Sequence, residues 1–171
     1  TPKQIQLYHA LEAELPVFGH VPMVLGSDRT RLSKRHGAMA VTVYRDMGYL
    51  PDALINYLVR LGWSHGDQEI FSLEQMIRLF DIKGVNQSAS SFNPEKLLWL
   101  NQKHIINASA GRIGGALVPY LKRAGLDPSN GPALNDLAEG FRERAETLTQ
   151  MVANSRYCYE DFHQIDPKAA K

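Results

Sequence analysis

Apolar residues in this chain recur three and four positions apart over most of its length, and that spacing predicts helices. The first is capped by Thr1, enters through Pro2, turns Ile5, Tyr8 and either Leu11 or Ala10 to one side and is ended by Pro16. A continuous apolar run from His20 to Leu25 then predicts a strand through Val24 and Leu25. Ala40 to Met47 has weak helical periodicity and stops at Gly48, a residue suited to a left-handed C-terminal position. Pro51 starts a further helix, whose Leu50, Leu54, Leu58 and Leu61 fall on one face, and Gly62 ends it. Trp63-Ser64-His65-Gly66-Asp67 reads as a turn-rich connection.

Ser72-Leu73-Glu74-Gln75 has the form of a capping box, which predicts a short helix running to about Phe80. Residues 86–91 form a polar, serine-rich loop in this reading. Asn93-Pro94 caps and opens a helix from Glu95 to about Lys103, with Leu97, Leu98 and Leu100 turned inward. Ile113, Leu117, Tyr120 and Leu121 make the next stripe, and Pro119 is expected to kink or split that helix. After a break at 125–131, Leu134, Leu137 and Phe141 form one stripe and Leu148, Met151 and Val152 another. The fold class is therefore mainly α, with a strand and loop near the start that fit the last piece of a parallel α/β layer.

Composition narrows the class further. With 171 residues, 44% hydrophobic and 22% charged, the chain can bury one moderate core or two small ones. No apolar stretch approaches the roughly 20 residues that span a bilayer, and the N-terminus lacks the layout of a secretory signal, so a cytoplasmic setting is expected. A single cysteine, Cys158, cannot form an internal disulfide, and the six histidines have no partners at ligand spacing, so no metal site is expected.

Net charge is only +1, but it is distributed unevenly. Arg31-Leu32-Ser33-Lys34-Arg35-His36-Gly37 packs three fixed cations and a hydroxyl behind the predicted strand and a Gly26-Ser27-Asp28 turn. Guanidinium, ammonium, hydroxyl and backbone N–H donors in one short window suit phosphate oxygens. Charge alone leaves open both a phosphate loop and a merely solvated surface. A second basic stretch runs from Lys96 to Leu126, where Lys96, Lys103, Arg112, Lys122 and Arg123 occur with no acid. Composition leaves RNA-backbone binding and a solvated helical face open there as well.

The detailed order of the first basic window resembles the K-M-S-K-S signature loop of class I aminoacyl-tRNA synthetases, in the K-L-S-K-R-H-G form of glutamyl-tRNA synthetases. Arg31 stands at the first Lys, Leu32 at Met, Ser33 and Lys34 are kept, and Arg35 replaces the last Ser. The resemblance continues through Tyr44-Arg45-Asp46, Gly48-Tyr49-Leu50-Pro51, Asn56 to Asp67, Phe92-Asn93 and Lys96 to Asn101, and covers nearly the whole chain. It implies three parts. Residues 1–39 are a C-terminal remnant of the nucleotide-binding catalytic domain, 40–107 a helical stem-contact domain, and 108–171 the first all-helical part of the anticodon-binding domain.

By the same resemblance, Lys34 is the catalytic cation on the ATP phosphates, with Arg31, Leu32, Ser33 and Arg35 forming the rest of the binding loop. Guanidinium at position 31 is a fork rather than a point charge and positions phosphate differently, so the catalytic part is assigned to Lys34 and a supporting one to Arg31. Implied substrates are ATP with Mg2+, L-glutamate and tRNA(Glu), and Lys103, Arg112, Lys122 and Arg123 are the RNA-contact candidates. His36 and His65 are read as structural, since a carboxylate nucleophile needs no general base, and Tyr157, Tyr159 and Phe162 as a helix-packing patch. The family's HIGH-type tetrapeptide and glutamate pocket are not among these 171 residues, so the chain is expected to be an inactive portion of a monomeric enzyme. A non-catalytic RNA-binding helical module, or a plain interaction bundle with a solvated basic loop, are the alternatives.

Overall fold

The computed structural model describes residues 1–26, 28–33 and 40–160, and within them eight α-helices and one pair of short strands. Lys34, Arg35, His36 and Phe162 of the sequence analysis lie outside the described residues. Helix α1 (Pro2–Ala10) opens on its proline as expected, but the Thr1 side chain makes no cap. It meets the His20 ring at 3.0 Å instead. The helix ends at Ala10, well before Pro16, because Glu12 takes a left-handed conformation (φ 53°) that turns the chain away.

Strand β1 (Val24–Leu25) lies where the apolar run predicts one. Its partner is β2 (Ser90–Ser91), parallel, in the register Val24 to Ser90 and Leu25 to Ser91. This corrects the reading of 86–91 as a loop. Ladder bonds use backbone amides, so serine side chains do not prevent pairing, and the Phe92 amide extends the contact by donating to the Leu25 carbonyl at 2.8 Å.

Helix α2 (Val41–Asp46) is followed by Gly48 at φ +88°, the left-handed residue its sequence predicts. In α3 (Pro51–Gly62) the buried positions are Ala53, Leu54, Asn56 and Tyr57, joined by Leu50 at the cap. Leu58 is 48% exposed and leaves the predicted stripe, since the elements packed on α3 lie toward Ala53 and Tyr57. Trp63 is no simple turn residue. It is buried, bridges to Val85 and packs on Phe71 and Met76 in a small core of its own.

The capping box of α4 (Leu73–Leu79) is complete in both directions, with the Ser72 amide donating to Gln75 Oε1 and the Gln75 amide to Ser72 Oγ. Helix α5 (Pro94–Asn107) is capped by Asn93 and runs past Lys103, because nothing interrupts it before Ala108 and the Ser109 cap of the next helix. Helix α6 (Ala110–Arg123) carries Pro119 without splitting. Its stripe of Ile113, Leu117, Tyr120 and Leu121 is buried in the core, and burial of that size outweighs one lost ladder bond. Close contact with α7 (Leu134–Phe141) is permitted by Gly114, where a Cβ would sit 2.9 Å from the Leu134 backbone. Helix α8 (Leu148–Ser155), capped by Thr147, completes the array.

Leu50, Ala53 and Ile105 share the largest core with Leu117, Leu137 and Met151, so the middle of the chain and its last third are packed as one body of apolar side chains. Among the described residues no helix is long and apolar enough to cross a membrane.

A polar network sits inside this apolar frame. Asn56 is fully buried, accepts from the Phe71 amide at 2.9 Å and donates to the Glu69 carbonyl at 3.0 Å. Because Asn56 Oδ1 can only accept, His104 Nε2 at 3.0 Å must carry the proton it shares. Burial lowers the His104 pKa; the Asp52 charge opposes that shift and the Arg112 charge adds to it. The Glu69 carboxyl is pushed up by burial, but hydrogen bonds and charge from Arg60 and Lys96 outweigh this and leave it below the usual value.

For both groups the unfolded chain binds protons more readily than the folded one, so acid destabilises the fold. His104 contributes stability that is present above about pH 6.5 and is lost as pH falls through its lowered folded value; Glu69 behaves alike below about pH 4.3. Thermal unfolding of the chain is therefore expected to show a first decline in Tm on acidification below about pH 6.5. In His104→Gln that first decline is expected to shrink, and an unaltered profile would remove His104 as its source.

Candidate functional site

Leu25 ends β1 at a tight reversal. The Gly26 amide donates to the Thr30 carbonyl at 2.8 Å and the Arg29 amide to the Gly26 carbonyl at 3.1 Å. Asp28, the acid of this basic window, accepts from both the amide and the hydroxyl of Thr30, each at 2.9 Å, so it serves the turn. The chain then runs back along its own strand, with Arg31 bridged antiparallel to Leu25 and the Leu32 amide donating to the Val24 carbonyl at 2.9 Å. Arg31 is exposed, while Leu32 and Ser33 are half-buried. The described half of the basic loop is thus rooted on β1 by main-chain bonds, and the loop is delivered from the end of a strand as its sequence implies.

Beyond the loop, Ala40 leads into α2, whose Tyr44 is the one side chain it buries. A groove of about 670 Å³ opens between α2, the start of α3 and α6. Tyr44, Leu54 and Tyr120 form its apolar floor, and Arg45 and Arg123 stand at its edge. Its lining is too apolar to hold a triphosphate, which needs converging donors.

The second basic stretch is less positive in space than in sequence. Arg112 forms an ion pair with Asp52, and Arg123 pairs with Asp46 at 3.1 Å while lying 5.6 Å over the Tyr120 ring. Both arginines come from one side of α6, about three turns apart, and face acids of the α2–α3 region. Lys122 is exposed roughly 100° away from Arg123 around the helix, and Lys103 is half-buried on α5. Freedom from acids along the chain therefore does not give one uninterrupted cationic face, because the fold brings Asp46 and Asp52 to it. Among the described residues no group of three His, Cys, Asp or Glu side chains is placed to hold a metal ion.

Two residues with structural weight are hidden within the motifs quoted above. Asn101 is fully buried, accepts from the Leu50 amide at 2.8 Å and donates to the Glu146 carbonyl at 2.6 Å. Asn56 plays the matching part beneath His104. The sequence does carry a signal for both: each is a polar residue in phase with an apolar stripe, three residues after Ala53 and four after Leu97. His65 is exposed and stacks on Trp63 with ring centres 5.9 Å apart, and Tyr159 packs over Gly131, which agrees with structural parts for both.

Known proteins resemble this chain in both sequence and shape. Residues 1–99 match the family described as tRNA synthetases class I (E and Q), catalytic domain. Over all 171 residues the chain is 54% identical to glutamate–tRNA ligase 1 of Alkalilimnicola ehrlichii and 56% identical to glutamate–tRNA ligase 2 of Halorhodospira halophila. It spans 36% of the length of each relative. The fold is similar to the crystal structure of the glutamate–tRNA synthetase of Elizabethkingia anophelis, with a TM-score of 0.77 and 26% identity over 98% of this chain and 38% of that one. It is also similar to a glutamate–tRNA ligase of Elizabethkingia meningosepticum in complex with its amino acid, with a TM-score of 0.78 and 26% identity over 99% of this chain and 38% of that one.

Proposed function

As this chain belongs to the class I tRNA synthetases of the E and Q family, we propose that it is a segment of a glutamate–tRNA ligase and carries the phosphate loop and part of the tRNA-binding surface of that enzyme. The observation that supports this most is identity of 54% and 56% to glutamate–tRNA ligases over all 171 residues. The whole enzyme joins glutamate to ATP, releasing pyrophosphate and forming glutamyl-adenylate, and then passes the acyl group to the 3′ end of tRNA(Glu). Residues 1–39 belong to its nucleotide-binding part, 40–107 to a stem-contact part and 108–171 to the start of the anticodon-binding part. It works as a monomer in the cytoplasm.

Adenylate formation needs little covalent help from the protein. The glutamate carboxylate is already a nucleophile, and negative charge grows on the departing pyrophosphate. A cation held closer to that charge in the transition state than in the ground state accelerates the step, and Lys34 takes this part. Ser33 assists as a donor, with Arg31 and Arg35 as further phosphate cations and Mg2+ accompanying the nucleotide, while Leu32, whose amide is held by the Val24 carbonyl, fixes the root of the loop. Isotope exchange between pyrophosphate and ATP in a full-length protein carrying this chain is expected to depend on glutamate. Exchange supported by glutamine alone would overturn the substrate assignment.

For tRNA, the lysines matter more than the arginines, since Arg112 and Arg123 already share their charge with Asp52 and Asp46. Lys103→Gln and Lys122→Gln are each expected to lower the slope of log K against log salt for tRNA(Glu) by about one. Arg112→Gln and Arg123→Gln are expected to change it less. Filter binding over a salt series checks this, and unchanged slopes in both lysine variants would take them out of the RNA interface.

A further inference from the structure

Helix α2 is six residues long, too short for its own ladder to hold it in place, and its one buried side chain, Tyr44, packs against Tyr49 and Phe92. Its polar anchors come from the last third of the chain and converge on the corner that follows it. The Tyr120 hydroxyl donates to the Arg45 carbonyl at 2.6 Å. The Thr149 hydroxyl donates to the Met47 carbonyl at 2.7 Å, and the Leu148 amide to the Gly48 carbonyl at 2.9 Å. Arg123 reaches Asp46 at 3.1 Å. The consecutive residues 45–48 are thus gripped by the end of α6 and the start of α8.

This corner lies directly downstream of the basic loop, with Ala40 as the cap of α2. The upstream root of the loop is held quite differently, by the Leu32 amide on β1. The position of α2, the first element after the loop, is therefore set in part by helices distant in sequence. We propose that Tyr120 and Thr149 are positioning residues for adenylate formation: their hydroxyls fix the Arg45 and Met47 carbonyls, hence α2, hence the downstream anchor of the phosphate loop. This rests on the function proposed above. Neither residue touches ATP; each acts through α2. Because the Arg45 carbonyl also accepts from the Gly48 amide at 2.9 Å, removing the tyrosine hydroxyl loosens the corner without stripping that carbonyl of every partner.

The test uses a full-length protein carrying this chain and compares the parent with Tyr120→Phe/Thr149→Val. Glutamate-dependent pyrophosphate exchange is expected to lose about tenfold or more in kcat while the KM for ATP moves by less than about threefold, because a displaced cation weakens the transition state more than the ground state. Thr149→Ser, which keeps the hydroxyl, is expected to retain the parental kcat, whereas Thr149→Val alone is expected to lower it. A merely structural role would lower Tm and leave the kcat of the folded protein unchanged. Should the double variant fail to fold by circular dichroism, the Thr149→Val and Thr149→Ser pair decides. A parental kcat in Thr149→Val, or in a folded double variant, overturns the proposal. A parent without glutamate-dependent exchange overturns the function itself, so the two failures are told apart.

Discussion

Lys34→Ala in a full-length protein carrying this chain is expected to slow glutamate-dependent pyrophosphate exchange by about 100-fold or more, with a much smaller rise in the KM for ATP. Loss of a single preorganised charge or donor aimed at developing negative charge usually has this size, and 100-fold corresponds to about 2.7 kcal/mol of transition-state stabilisation. The larger effect falls on kcat because charge on the leaving pyrophosphate grows only as its bond to the α-phosphorus breaks. Lys34→Arg keeps the charge but replaces a compact ammonium by a planar fork, so partial recovery is expected rather than full. Single-turnover measurement of adenylate formation separates this effect from product release, and an unaltered rate constant would remove Lys34 from the mechanism.

Gly48→Ala is expected to destabilise the fold by about 3–5 kcal/mol, from the left-handed conformation and the contacts that must break. At φ +88° an alanine carries a backbone cost of about 1–2 kcal/mol. In addition, the new Cβ would sit 2.5 Å from the Thr149 nitrogen and 2.9 Å from the Leu148 nitrogen, both backbone atoms that cannot swing aside. The start of α8 must move, which breaks the Leu148 and Thr149 hydrogen bonds to the corner. Gly125→Ala is the control. Gly125 has φ +76° and nothing within 4 Å of its added Cβ, so it carries the backbone cost alone. Urea midpoints of the two variants, read on this chain, isolate the contact; equal losses would mean that α8 does not bear on Gly48 as described. Since natural domains are stable by only about 5–15 kcal/mol, the Gly48 change is also expected to leave little folded protein at elevated temperature.

What could be read in advance follows from how local each feature is. The caps Ser72 and Asn93, the prolines at 51 and 94, Gly48 as a left-handed stop and the stripe of Ile113, Leu117, Tyr120 and Leu121 depend on neighbours within two turns of chain, and they stand as their sequence predicts. The basic loop and its resemblance to a signature are likewise written in consecutive residues. Pro119 does not split α6, and Leu58 leaves its stripe, because both outcomes depend on what packs against the helix: a deep stripe keeps α6 whole, and the lack of a neighbour leaves Leu58 in water.

The amino-acid sequence by itself determined that this chain is helical, that a strand leads into a cationic window, and which family that window resembles, because these are properties of short spacings and of side-chain chemistry. Tertiary structure alone decided that Ser90 and Ser91 pair with β1, that Asp46 and Asp52 reach the arginines of α6, and that Tyr120 and Thr149 grip the corner beyond the loop. Each of those joins residues far apart along the chain through backbone groups or single charges, and no local pattern encodes which distant carbonyl or carboxylate a side chain will meet.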